Sequence, residues 1–145
     1  MDLSHLADAR ILIVDDNTTN VMLLQALLKQ NGFNELDSTS NPLEVMDMCD
    51  SFDPDLLLLD LQMPKLDGFA ILELLGDHRS DEDFLPVLVL TADVDVEAKH
   101  RALSLGANDF VTKPFDHAEV LLRVRNLLEL RFMHRRLKQR LESSP

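Results

Sequence analysis

Cysteine is almost absent from this chain of 145 residues: Cys49 is the single one, so no disulfide can form within the chain. A lone thiol fits a reducing compartment, and we interpret Cys49 as a packed side chain because no neighbouring residue suggests a reactive role. Long apolar runs are also missing, and none approaches the roughly 18 to 20 residues that span a bilayer. The first residues lack the basic segment and apolar stretch of a signal peptide. These absences predict a cytoplasmic protein without membrane contact.

Basic residues are scarce over most of the chain. Residues 1–122 contain seven Lys and Arg against 24 Asp and Glu, a formal net charge of −17, whereas residues 123–145 contain seven against two, a net of +5. A body this acidic repels a phosphate backbone, which argues against direct nucleic-acid binding. Basic residues in such a tail are typical of the solvated face of a long helix. With 46% apolar and 28% charged residues, the composition is that of one globular domain.

Short apolar stretches alternate five times with segments of helical periodicity. The sequence predicts strands at 10–14, 35–39, 56–60, 86–91 and shortly after Asn108. It predicts helices over about Thr18 or Thr19 to Asn31, over 94–105 and over 116–141. Two more helices are predicted to begin at residues 40–42 and at 67–68, and a polar loop is predicted at 76–83. This alternation indicates an α/β protein of flavodoxin-like, three-layer (βα)5 architecture with parallel strand order 2-1-3-4-5 and an extended C-terminal helix.

Chemically useful side chains stand where the predicted strands end. Asp15 and Asp16 follow the first strand, Asp60 ends the Leu-rich third strand, Thr91 ends the fourth, and Lys113 follows the fifth. In the predicted strand order the first and third strands are neighbours, so the three carboxylates converge at one edge of the sheet. The sequence therefore predicts an acidic, metal-binding pocket, with a hydroxyl and an ammonium group beside it.

The same motifs, taken together and in order, resemble a response-regulator receiver domain, the phosphoacceptor part of bacterial two-component signalling. The resemblance covers about residues 9–130. It is carried by Ile-Val-Asp15-Asp16, Leu-Asp60-Leu-Gln-Met63-Pro64 with Asp67-Gly68, Thr91-Ala92, Gly106-Ala107 with Asp109-Phe110, and Lys113-Pro114.

The resemblance implies a role for each of these side chains. Asp60 would accept a phosphoryl group from a histidine kinase, a phosphotransfer protein or a small phosphodonor. Mg²⁺ would be the cofactor, held by Asp15, Asp16, Asp60 and the backbone carbonyl of Gln62. Thr91 and Lys113 would each contact a phosphoryl oxygen, and the Lys113–Pro114 peptide bond is expected to be cis. The protein would catalyse its own phosphorylation and dephosphorylation, and it would not be an enzyme acting on another substrate.

Three further positions follow from the resemblance. Phe110 would be the rotameric switch, although a Phe has no phenolic hydroxyl and an aromatic residue in a short strand is often simply part of the core. The switch would change the surface formed by the fourth helix, the fifth strand and the last helix. Gln62 and Asp93 lie at the two positions that tune dephosphorylation in the family. An acidic Asp93 there would either position the attacking water or repel it, with opposite effects on the lifetime of the phosphoryl group.

Two other classes of protein share part of this pattern. A Mg²⁺-dependent phosphohydrolase of the haloacid dehalogenase type also uses an Asp nucleophile on a parallel sheet. That family needs Asp-x-Asp after its first strand, whereas Asp15 and Asp16 are adjacent. A receiver that has become a pure docking module is disfavoured because Asp60, Thr91 and Lys113 are all present.

The last predicted helix has two apolar stripes. Leu121, Val124 and Leu128 have the spacing of a face that packs on the sheet, and a second stripe continues beyond them at Leu127, Leu130, His134, Leu137 and Leu141. A helix over 116–141 would be about 39 Å long at ~1.5 Å per residue, so its end should project. We predict a receiver at 1–128, an extension at 129–145 and a homodimer through a parallel coiled coil, with a frayed or swapped helix as the alternative. Such helices also resemble linkers to output domains, including HD-GYP cyclic di-GMP phosphodiesterases.

Overall fold

The computed structural model describes residues 6–61, 63, 68–78, 84–92 and 96–143. Within them five strands alternate with five α-helices. The strands are β1 (Arg10–Val14), β2 (Glu35–Thr39), β3 (Leu56–Asp60), β4 (Val87–Thr91) and β5 (Asp109–Thr112). The helices are α1 (Thr18–Gln30), α2 (Val45–Phe52), α3 (Gly68–His78), α4 (Val96–Ser104) and α5 (His117–Ser143), and a 3₁₀ turn at Pro42–Glu44 leads into α2.

All four strand pairings in the sheet are parallel, and the strand order is β2-β1-β3-β4-β5. Parallel neighbours need a crossover, and each crossover here is a helix, as the alternating pattern predicts. The predicted flavodoxin-like architecture is confirmed. Among the helices that the structure describes, none is long and apolar enough to cross a membrane.

The core lies on both faces of the sheet because successive strand residues point in opposite directions. Leu56 and Leu58 of β3 pack in one cluster with residues of α1 and α5. Leu57 and Leu59 pack in the other with residues of α2, α3 and α4. A strand covered on both sides has no solvent face, which explains why four leucines follow one another without a polar residue.

Two helix starts differ from the predicted positions by about one residue: the cap of α1 lies earlier, and α5 begins later. Asn17, rather than Thr18 or Thr19, caps α1, because its side chain accepts a hydrogen bond from the Asn20 amide at 3.2 Å. Asp116 precedes α5 and accepts from the Ala118 amide at 3.0 Å. In both cases the side-chain oxygen satisfies an amide that lacks a partner in the first helical turn.

The predicted loop at 76–83 begins too early, because α3 continues through Gly76 to His78. A glycine inside a helix costs about 1 kcal/mol relative to alanine. The burial of Leu72 and Leu75 on the same helix outweighs that cost. Residues 79–83 and the predicted start of α4 at Val94 lie outside the described residues.

Candidate functional site

Three carboxylates meet where β1 and β3 end. Val14 pairs with Leu59 in the parallel register, so the next residues, Asp15 and Asp60, leave the sheet side by side. One carboxylate oxygen of each, together with one of Asp16, forms a group whose members lie within 4.8 Å of one another. Asp15 and Asp60 are buried, whereas Asp16 is exposed. The convergence predicted from strand order is therefore present in the structure.

Hydrogen bonds hold both the side chain and the backbone of Asp15 in place. Its Oδ1 accepts a hydrogen bond from the Asn17 amide at 2.9 Å, while its own backbone amide donates to the Thr39 carbonyl at 3.2 Å. Asn17 thus supports the site with its amide and caps α1 with its side chain. Sequence reasoning missed this residue, although an Asn two positions after a strand-ending Asp is a capping signal.

Lys113 supplies the positive charge of the cluster. Its Nζ lies 3.3 Å from Asp15 Oδ2 and 3.4 Å from Asp60 Oδ1, and its side chain is largely buried. Among the described residues, one ammonium group beside three carboxylates leaves a formal excess of two negative charges. Carboxylate oxygens at this density are the ligands that hard divalent cations prefer, so the donor set fits Mg²⁺.

Thr91 ends β4 beside Asp60 and is buried. Its carbonyl accepts a hydrogen bond from the Lys113 backbone amide at 2.8 Å, which ties the segment carrying Lys113 to the end of the neighbouring strand. The Lys113–Pro114 peptide bond is cis, as the resemblance implied. The predicted hydroxyl and ammonium positions thus belong to the same edge of the sheet as the carboxylates.

Gly68 lets the start of α3 approach the strand end. A Cβ atom at this position would lie 2.6 Å from Leu61 Cα and 2.8 Å from the Asp60 carbonyl oxygen. Those two atoms are backbone and cannot shift as cheaply as the end of a flexible side chain, so any larger residue would displace Asp60 and Leu61. The sequence motif contains this glycine, but only the structure shows which atoms require it.

Phe110 lies on β5, opposite Val89 of β4, and is half-buried. The Nζ of Lys99 from α4 stands 4.6 Å from the centre of its ring. This distance is within the range of a cation–π interaction. Two other positions singled out from the sequence, Gln62 and Asp93, lie outside the described residues.

The family follows from a comparison of this chain with known proteins. Residues 11–125, which contain every one of these strand ends, match the family described as the response regulator receiver domain. The chain belongs to this family. It is the receiver domain of a two-component response regulator, and this membership decides against the haloacid dehalogenase alternative.

Relatives and solved structures agree with the assignment. The receiver domain is 42% identical over 119 residues to response regulator MprA of Mycobacterium avium, a match that covers 82% of this chain and 50% of that protein. The signal receiver domain of a histidine kinase from Syntrophus aciditrophicus is 32% identical, with a TM-score of 0.74 over 83% of this chain and 90% of that one. A response regulator receiver domain from Bermanella marisrubri is 29% identical, with a TM-score of 0.75 over 83% and 98%. The chain spans about half the length of the curated relatives it matches.

Proposed function

We propose that this receiver domain is a phosphoacceptor and that Asp60 is the phosphorylated residue. The observation that carries the proposal is the position of the Asp60 carboxylate, buried at a strand end with Lys113 Nζ 3.4 Å away and two further carboxylates around it. The charge of a purely structural buried carboxylate is matched by cations, whereas here three carboxylates face one ammonium group among the described residues. A phosphoacceptor needs a cation, an ammonium group and a hydroxyl together, and Thr91 supplies the hydroxyl.

The proposed reaction transfers a phosphoryl group from a phosphohistidine to Asp60. A carboxylate oxygen of Asp60 forms the new O–P bond while the N–P bond to the donor imidazole breaks, and the leaving nitrogen keeps the electron pair. Asp15, Asp16, Asp60 and the Gln62 carbonyl would hold Mg²⁺, which supplies positive charge that reduces repulsion between the two anions. Lys113 would pair with one phosphoryl oxygen, and the Thr91 hydroxyl would donate to another.

A histidine kinase or a phosphotransfer protein is the proposed donor, with a cytoplasmic location. A groove of about 210 Å³ lies beside the site, and its lining includes Leu23 of α1 together with Pro114 and Phe115. Leu23 and its neighbour Met22 are exposed. Exposed apolar side chains next to an acidic pocket suit a helical partner that must place one histidine over Asp60.

The proposed output of phosphorylation is a change at the surface of α4, β5 and α5. Thr91 would move toward the phosphoryl group, and Phe110 would turn into the space that opens. A local charge would thereby select between two packings of the same surface. If Thr91→Ala left phosphorylation intact and the surface still changed fully, this coupling would be wrong.

The phosphoacceptor is tested with acetyl phosphate and Mg²⁺ followed by intact-mass spectrometry. Wild type should gain one phosphoryl group, whereas Asp60→Asn should gain none. Asp37→Asn is the matched control, because Asp37 is an exposed carboxylate on β2 outside the cluster, and it should behave as wild type. Phosphorylation of Asp60→Asn that peptide mapping does not trace to Asp15 or Asp16 would overturn the assignment, and no phosphorylation of wild type would favour the docking-module alternative.

We also propose that α5 joins two copies of the chain or leads to an output domain such as an HD-GYP phosphodiesterase. The apolar stripe differs from the predicted one. Leu127 is buried in the core, and His134 lies against Phe84 with ring centres 5.6 Å apart. The exposed stripe on the extension is instead Leu130, Met133, Leu137 and Leu141.

A further inference from the structure

A buried carboxylate lies at the end of the sheet opposite the phosphoacceptor. Asp55 immediately precedes β3 and is 2% exposed, whereas Asp60 ends the same strand. At roughly 3.3 Å per residue the Cα atoms of the two residues are separated by about 17 Å along β3. Asp55 therefore takes no part in phosphoryl chemistry, and its burial needs another explanation.

Two arginines of α5 reach Asp55 from the part of the helix that follows the buried Leu128, where Phe132 still packs against the core. Arg131 Nε lies 3.4 Å and Arg135 Nη1 3.2 Å from Asp55 Oδ1. The other carboxylate oxygen, Oδ2, accepts from the Arg10 backbone amide at 2.9 Å. Both oxygens of the buried carboxylate are thus satisfied, one by the start of β1 and one by α5.

The segment before β4 provides a second attachment. Arg131 Nη1 donates to the Phe84 carbonyl at 2.6 Å, and the Phe84 ring contacts the ring of His134. The Arg131 side chain is only 11% exposed. A guanidinium in this position needs its carboxylate partner, because an unpaired buried charge is strongly unfavourable.

We propose that Asp55, Arg131 and Arg135, with the Phe84–His134 contact, form a basal clamp that makes α5 rigid with the receiver as far as Arg135. The clamp thereby fixes the direction of residues 136–143, at the edge opposite Asp60. The clamp acts as a positioning device: it orients whatever α5 contacts or leads to. This inference does not depend on phosphorylation of Asp60, and its test needs no phosphodonor.

The clamp predicts slow hydrogen exchange at the backbone amides of α5 beyond Leu128. A helix end without tertiary contacts frays, because short unsupported helices are marginal in water. A clamped end exchanges through local opening that must first break charge-assisted hydrogen bonds. At a concentration where sedimentation shows monomer, the amides of residues 131–137 in wild type should exchange nearly as slowly as those of 120–128.

Substitution of the arginines tests the assignment. Arg131→Gln with Arg135→Gln should speed exchange over 131–140 at least about tenfold, and by a larger factor than it speeds exchange in β1 and β3. Arg136→Gln is the matched control, because Arg136 donates within α5 to the Phe132 carbonyl, and it should exchange as wild type does. Fast exchange over 131–137 in wild type, or unchanged exchange in the double variant, would overturn the clamp.

A milder variant covers the case in which the double variant loses stability throughout. Arg135 is 43% exposed, so Arg135→Gln removes one contact while the Arg131–Asp55 pair keeps the buried charges matched. Faster exchange confined to residues 133–140 would support the clamp. Exchange in Arg135→Gln equal to that of wild type over the same residues would contradict it.

Discussion

At the scale of single residues, Lys99 is the side chain whose effect on the proposed switch is most directly testable. Its ammonium group stands over the Phe110 ring, and such contacts contribute about 0.5–1 kcal/mol at exposed sites. The interaction stabilises the ring where it lies in this structure and opposes any inward turn.

Lys99→Gln should therefore favour the switched state. We expect the concentration of beryllofluoride that half-saturates the switch, in the presence of Mg²⁺, to fall by about two- to five-fold. The Phe110 signal in ¹⁹F NMR of fluorophenylalanine-labelled protein, assigned with Phe110→Leu, provides the measurement.

The same helix provides the control. Arg101 of α4 stands 4.3 Å from the centre of the Phe69 ring, so Arg101→Gln removes the same kind of contact away from Phe110. Its titration should match that of wild type. Equal midpoints for Lys99→Gln and Arg101→Gln would mean that Lys99 does not restrain the ring.

At the scale of elements, the strands and their order follow from the sequence because each is a local apolar run and parallel crossovers allow few arrangements. That order is also what brings Asp15 and Asp60 together, so the centre of the site was predictable. The cap of α1 was missed by one residue. Asn17 and Thr18 are both good caps, and the sequence does not show at which of them the chain leaves β1 and begins to turn as a helix.

The surroundings of α5 were harder to predict. Leu127 and His134 have heptad spacing with Leu130, Leu137 and Leu141, but periodicity alone does not tell which side of a long helix faces the sheet. The partners of Arg131 and Arg135 lie 76 and 80 residues earlier in the chain, at Asp55. Contacts of this separation leave no local pattern in the sequence.

The exposed stripe of α5 leads to a prediction about assembly. Leu137 and Leu141 are 57% and 77% exposed, and apolar side chains at this spacing on a helix favour pairing with a second copy. Wild type at tens of micromolar should sediment at about 33 kDa, twice the chain mass of 16.5 kDa. Leu137→Glu with Leu141→Glu should sediment as a monomer, whereas Gln139→Glu, at an exposed position between them, should not.

Salt should strengthen this dimer. Residues 123–145 carry a formal net charge of +5, so two parallel copies repel each other, and added salt screens the repulsion. A shorter chain ending at Leu128 would also lose the clamp, so point variants are the cleaner comparison. A monomeric wild type at every salt concentration would exclude the proposed coiled coil.

At the scale of the whole molecule, charge and stability are linked through the acidic site. In the part of the chain that the structure describes, the site holds three carboxylates against one ammonium group, and the whole chain carries a formal charge of −12. Like charges held together by the fold oppose folding, since the unfolded chain separates them. A cation that binds only the folded protein relieves this repulsion and adds its binding free energy to the free energy of unfolding.

Mg²⁺ should therefore stabilise the receiver in a saturable way. At 100 times its dissociation constant the expected gain is about 2.7 kcal/mol, which corresponds to a rise in Tm of roughly 5–11 °C for a domain of this size. Asp16→Asn should lose most of the gain without unfolding the protein, because Asp16 is exposed. Asp37→Asn, which removes an exposed charge outside the cluster, should retain it. Thermal melts at constant ionic strength separate metal binding from general charge screening. A Mg²⁺-dependent rise in Tm of equal size in both variants would show general screening of an acidic protein instead of a metal site at Asp15, Asp16 and Asp60.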